Sequence, residues 1–81
     1  MARAAQRSTE VETHGDGVPR QFRWRGRRLA VREVLDDWEE VGRWWLEEKP
    51  RWVYRVVAAS GAAYELHREG EAPWRMERVF D

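Results

Sequence analysis

Apolar and polar positions alternate over residues 51–60 in a way that organises the rest of the chain. Trp52, Tyr54, Val56 and Ala58 fall on one face at period two, with Val53, Arg55 and Val57 on the other. The run is rich in β-branched and aromatic residues and ends in Ser60-Gly61, so it reads as a strand entering a tight turn. The next apolar residues can be laid against it. Pairing Tyr54 and Val56 with Leu66 and Tyr64 requires a three-residue loop, Ala59-Ser60-Gly61, with glycine where a left-handed residue is needed. Arg55 then faces Glu65. A further strand over residues 73–79 aligns after a turn at 68–72, with Leu66 opposite Trp74, Tyr64 opposite Met76 and Glu65 opposite Arg75. One face becomes a layer of Tyr54, Val56, Tyr64, Leu66, Trp74 and Met76. The other carries an Arg55–Glu65–Arg75 row with His67 beside it, read as a solvated sheet histidine.

Upstream, residues 18–25 and 28–35 read as a hairpin. Phe22 and Trp24 alternate with Arg23 and Arg25, and Leu29 and Val31 with Arg28, Ala30 and Arg32. A two-residue loop, Gly26-Arg27, sets Trp24 opposite Leu29 and Phe22 opposite Val31, and glycine at its first position suits a type II′ turn. Val34 and Leu35 then fall out of phase, which predicts a β-bulge near Arg32-Glu33. Over residues 36–50, Leu35, Trp38, Val41 and Trp45 recur at helix-like spacing, with Asp36 as an N-cap. One or two helical turns and an aromatic loop are expected there, the alternative being a second hairpin turning at Val41-Gly42. Nearer the start, Val11 to Thr13 could form a short edge strand ended by Gly15-Asp16-Gly17. Residues 1–10 are polar and unpatterned and are expected to be a flexible N-terminus. Residues 11–81 then form a single antiparallel β domain, a meander of about five strands curling into a half-barrel, with room for one short helix. SH3-like and OB-like barrels are the architectural comparison.

Composition sharpens this picture. With 81 residues and no cysteine, the domain has neither disulfides nor thiolate metal sites to staple it, and six tryptophans must supply the dense core. Trp24, Trp38, Trp52 and Trp74 are assigned to it. No apolar run approaches the roughly 18 residues of a membrane span, and the start lacks the apolar core of a secretory signal, so a cytoplasmic protein is expected. Net charge is zero, yet the charge is segregated. Residues 20–32 carry six arginines and no acid, and residues 33–48 carry seven acids against Arg43 alone.

Three sets of phrases have a familiar spacing. They are Phe22-Arg-Trp24-Arg25-Gly26-Arg27 with Val31-x-x-Val34-Leu35-x-x-Trp38, then Arg43-Trp44-Trp45 with Trp52-x-x-Arg55-Val56. The last is Tyr64-x-Leu66 with Trp74-x-Met76-x-Arg78-Val79-x-Asp81. Over residues 18–81 this resembles a family of small bacterial Trp/Arg-rich domains of unknown function, often encoded near translesion DNA polymerase genes. The resemblance implies a setting in DNA-damage tolerance and no catalytic residues.

The residues themselves argue against catalysis. Only His14 and His67 could act as imidazole bases, with Ser8, Thr9, Thr13 and Ser60 as hydroxyls, and no nucleophile–base–orienter set emerges. Two distant histidines without cysteine make no zinc site, and no glycine loop cradles a phosphate. No cofactor, metal, membrane or small-molecule substrate is expected. The expected function is a non-enzymatic binding module acting through a protein partner. Surface Trp and Arg are the residue types of interface hot spots, and a meander has open edges. The alternatives are a nucleic-acid-binding module and a self-associating structural domain. For nucleic acid, Arg23, Arg25, Arg27, Arg28 and Arg32 would contact phosphates, and Trp44, Trp45 or Trp52 would stack on bases. The arginine face discriminates: exposed and unpaired it favours nucleic acid, paired with the acids of 33–48 it favours a protein partner or a structural role.

Overall fold

The structure is a computed structural model that describes residues 2–42, 44–47 and 49–80, without the side chains of residues 2–6 and Trp44. Seven strands form one antiparallel sheet: β1 (Ala2–Ser8), β2 (Val11–Thr13), β3 (Pro19–Trp24), β4 (Arg27–Glu40), β5 (Arg51–Ala58), β6 (Ala63–Glu69) and β7 (Arg75–Phe80). Their order is β1-β7-β6-β5-β4-β3-β2, curled into a half-barrel. The expected architecture holds, with seven strands in place of about five.

The strand absent from the sequence reading is β1, because its polar residues carry no face pattern. It is recruited through its main chain, pairing with β7 from Ala2↔Phe80 to Ser8↔Arg75. β1 and β2 sit at opposite ends of the sheet order, yet only Thr9 and Glu10 separate them. Thr9 N donates to Trp74 O at 2.9 Å and Arg23 N donates to Glu10 O at 2.9 Å. One segment therefore covers both free edges, which would otherwise expose unpaired backbone groups.

β4 is the longest strand and pairs first with β3 and then with β5. Its register shifts between Val31 and Glu33, as the break in alternation predicts, and again between Val34 and Asp36. Each shift bends the strand and raises its twist. Leu35, Trp38 and Val41 have helix-like spacing but no common buried face: Leu35 and Val41 are exposed, and Asp36 to Glu40 pair regularly with β5. The helical turns expected after Asp36 are accordingly absent. β4 continues to Glu40, and a single 3-10 turn, Trp44–Leu46, follows in the connection to β5. Val41-Gly42 thus lies in a hairpin connection, as the alternative had it.

The β5–β6 register is the expected one, with Tyr54↔Leu66, Arg55↔Glu65 and Val56↔Tyr64, and Gly61 at φ 94° in the loop. Two registers differ, by two residues in the first hairpin and by two and then three along β7. In the first hairpin Phe22 faces Leu29 and Trp24 faces Arg27, so the turn is Arg25-Gly26. Both have positive φ (50° and 75°), the mark of a type I′ turn, whose twist matches the flanking strands better than the expected loop. In β7, Leu66 faces Met76 and His67 faces Arg75, with a bulge that brings Tyr64 against Val79 and Glu65 against Arg78. The bulge reverses parity within β7, bringing both Met76 and Val79 inside, and the predicted layer still stays in the core: Tyr54, Val56, Tyr64, Leu66, Trp74 and Met76 are all buried, with Phe22, Ala58 and Val79.

Gly26 tests the turn. A Cβ there would meet no atom within 4 Å, so Gly26→Ala costs only backbone conformation. We expect a loss of about 1 kcal/mol in urea unfolding, with an unchanged m-value.

Candidate functional site

The revised hairpin register brings Arg23 directly opposite Arg28. Arg23 N points away from β4, to Glu10 O, so the pair occupies a non-hydrogen-bonded position, where facing side chains approach most closely. Like charges so placed are destabilising. Arg23, Arg25, Arg27, Arg28 and Arg32 are all exposed, and none forms an ion pair among the described residues. Arg27 differs from the reading above in being a strand residue on the Trp24 side of the hairpin. The acidic block does not neutralise this face. Glu40 pairs with Arg51 at 2.9 Å, while Asp36, Asp37 and Glu39 stand exposed farther along β4. Glu10 and Glu12 line a groove with Arg23 and Arg28, and the exposed Glu33 follows Arg32 on β4. Glu12 takes Gln21 and Arg20, and the Gln21 hydrogen bond foremost, with Arg20 and the charge of Arg28, holds its carboxyl below the usual range.

Beside the turn lies an open groove of about 320 Å³ between the β1–β2 junction and the end of the hairpin. Arg7, Ser8, Thr9, Glu10, Arg23, Trp24, Arg25 and Gly26 line it. The Thr9 hydroxyl donates to Arg23 O and ties the two walls together. Trp24 is half-buried, edge-on to Tyr64 at 6.4 Å, with the Arg25 guanidinium 5.3 Å over its ring. Sequence reasoning missed Arg7, which lay in the expected flexible start, and had assigned Trp24 wholly to the core. The strand pairing of residues 2–8 is the feature that places Arg7, and no face pattern in the sequence announced it.

The aromatic contacts expected to join these arginines are elsewhere. Trp45 is 63% exposed and Trp52 45%, the latter having been assigned to the core. The Trp44 side chain lies outside the described residues. Trp52 pairs with Glu39, at the far end of β4 from Arg28. At about 3.3 Å per residue that is on the order of 30 Å of strand. Val41 and Leu46 are exposed at the same end.

His67 is buried rather than solvated. Its Nε2 lies 2.7 Å from Glu65 Oε1, Glu65 Oε2 accepts from Arg55 at 3.0 Å, and the Arg55 guanidinium lies 5.7 Å from the Trp38 ring centroid and 5.1 Å from that of Phe80. This is a second, polar layer on the outer face of β5–β7, beside the buried Val53 and Val57. Burial works against the Glu65 charge, but hydrogen bonds from His67 and Arg55 outweigh it and hold the carboxyl below its usual value. Ser8 lies with His67 along an adjoining cavity of about 260 Å³, but no described cluster of three or more ligating side chains could hold a metal there or elsewhere.

A depressed carboxyl in the folded state stabilises fully above its ordinary pKa of 4.5, and that stability is lost as pH falls through the lowered value. Glu65→Gln should therefore lower stability by about 1 kcal/mol at pH 7 and flatten the acid limb below pH 4.5 in urea unfolding. An unaltered acid limb would show that Glu65 is not the group responsible.

No curated protein and no solved structure is a significant match for the chain. A family model described as a domain of unknown function, DUF6504, matches residues 2–81, and the chain belongs to that family.

Proposed function

We propose that the chain is a non-enzymatic nucleic-acid-binding module whose β3–β4 hairpin contacts phosphates. The observation that carries this is the Arg23–Arg28 pair: two guanidinium groups opposed across the strands at their closest position, exposed and without an acid partner among the described residues. A bridging anion relieves that repulsion, and the forked donors of arginine suit phosphate oxygens. Net charge of zero does not oppose this, because the hairpin arginines outnumber the acids beside them, Glu10, Glu12 and Glu33, while Asp36, Asp37 and Glu39 lie farther along β4. The resemblance to domains encoded near translesion polymerase genes makes DNA-damage tolerance the setting we propose.

A protein partner is the second reading. Among the described residues, four of the five large apolar ones left exposed, Val41, Trp45, Leu46 and Trp52, lie on the β4–β5 connection or its border. Such a concentration is the usual mark of an interaction patch.

Fluorescence anisotropy with labelled single- and double-stranded DNA at about 50 and 200 mM salt separates the two. The nucleic-acid reading expects micromolar binding that weakens steeply with salt and is lost in Arg23→Glu and Arg28→Glu. Arg28→Thr should weaken binding while stabilising the fold by about 0.5 kcal/mol, since it removes the opposed charge. Absence of binding at the lower salt would sink this reading and leave the Trp45–Trp52 end as the functional surface.

A further inference from the structure

The hairpin's phosphate face is continuous with the groove around Trp24, and three observations there converge on Arg25. First, Arg25 holds φ 50° at the leading position of a type I′ turn, where asparagine, aspartate or glycine sits without strain. Retaining a large side chain in that conformation costs stability, and such costs gather at functional sites. Second, its guanidinium lies 5.3 Å over the Trp24 ring, a cation–π contact that favours a planar cation beside the indole ahead of any ligand. Third, both side chains open onto the 320 Å³ groove, where Arg7 and Arg23 supply positive charge in excess of the single Glu10 carboxylate and the Ser8 and Thr9 segment forms the facing wall.

We infer that this groove is a base-stacking subsite that takes one unpaired nucleotide, its base against the Arg25–Trp24 stack and its phosphate between Arg7 and Arg23. The inference rests on the phosphate-binding reading of the hairpin. A base held in a duplex cannot enter a groove whose aromatic floor is half-buried, whereas a base in a single strand can swing into it and stack on a guanidinium plane or an indole. The module therefore selects single strands over duplexes. The stacking partner is Trp24, from the hairpin itself, and not the distant Trp45 or Trp52.

The test compares three labelled probes of about a dozen nucleotides with the full chain at about 50 mM salt: oligothymidylate, an abasic strand with the same phosphates, and a duplex. Oligothymidylate should bind about tenfold tighter than the abasic strand. Arg25→Lys keeps the charge and removes the planar face, so it should erase most of that difference while leaving abasic and duplex binding within about twofold. Trp24→Leu, which keeps an apolar contact for Tyr64, should act in the same direction. Equal binding of oligothymidylate and the abasic strand overturns the stacking subsite and leaves the phosphate reading standing. Failure of all three probes to bind removes both.

Discussion

Phe22 on β3 and Tyr64 on β6 are separated by two intervening strands, yet their rings meet edge to face with centroids 5.0 Å apart. That contact exists only if the sheet curls, and the curl is what allows so short a chain to bury a core. A flat seven-stranded sheet of this size would leave its apolar face in water; bent at the two register shifts of β4, it encloses Phe22, Tyr54, Val56, Tyr64, Leu66, Trp74 and Met76 without a covering helix. With no disulfide available, the aromatic contacts across the interior carry the closure, helped by Tyr54 against Trp74 at 5.7 Å.

The outer face solves a different problem. Strongly twisted β5 and β6 bury Val53, Val57, Glu65 and His67 on the side away from the core. A charge buried there must be paired, and the Arg55–Glu65–His67 chain does this while Trp38 and Phe80 flank the Arg55 guanidinium. The Glu65 charge is thus paired, while the buried Arg55 Nε and His67 Nδ1 have no hydrogen-bond partner among the described residues. The β3–β4 hairpin differs: Arg23 and Arg28 oppose each other across the strands, with the Glu12 charge near Arg28 but no ion pair to either among the described residues.

Side-chain parity was readable in the sequence almost throughout, because a period of two places residues on faces irrespective of exact pairing. Strand ends and bulges were harder. The β5–β6 register followed from Gly61 and a well-defined loop, whereas the two registers that slipped depended on which of several polar residues formed the turn, and parity cannot separate slips of two. The helix expected after Asp36 failed because Leu35 and Val41, which set its spacing, are exposed and mark no buried face. Of the candidate site, the arginines were readable as a cluster and the groove was not. Its walls come from residues 7–10, whose place at the sheet edge is set by main-chain pairing that no side-chain pattern records, and Trp24 looked like any other core aromatic.

The Thr9–Glu10 junction gives this arrangement a thermodynamic character of its own. Because one segment both closes the sheet and supplies Arg7, Ser8 and Thr9 to the groove, the groove exists only in molecules whose β1 edge is docked. Any ligand seated there adds its free energy to edge closure, and an undocked β1 subtracts directly from the apparent affinity. Occupancy of the surface and integrity of the fold are then two readings of a single equilibrium.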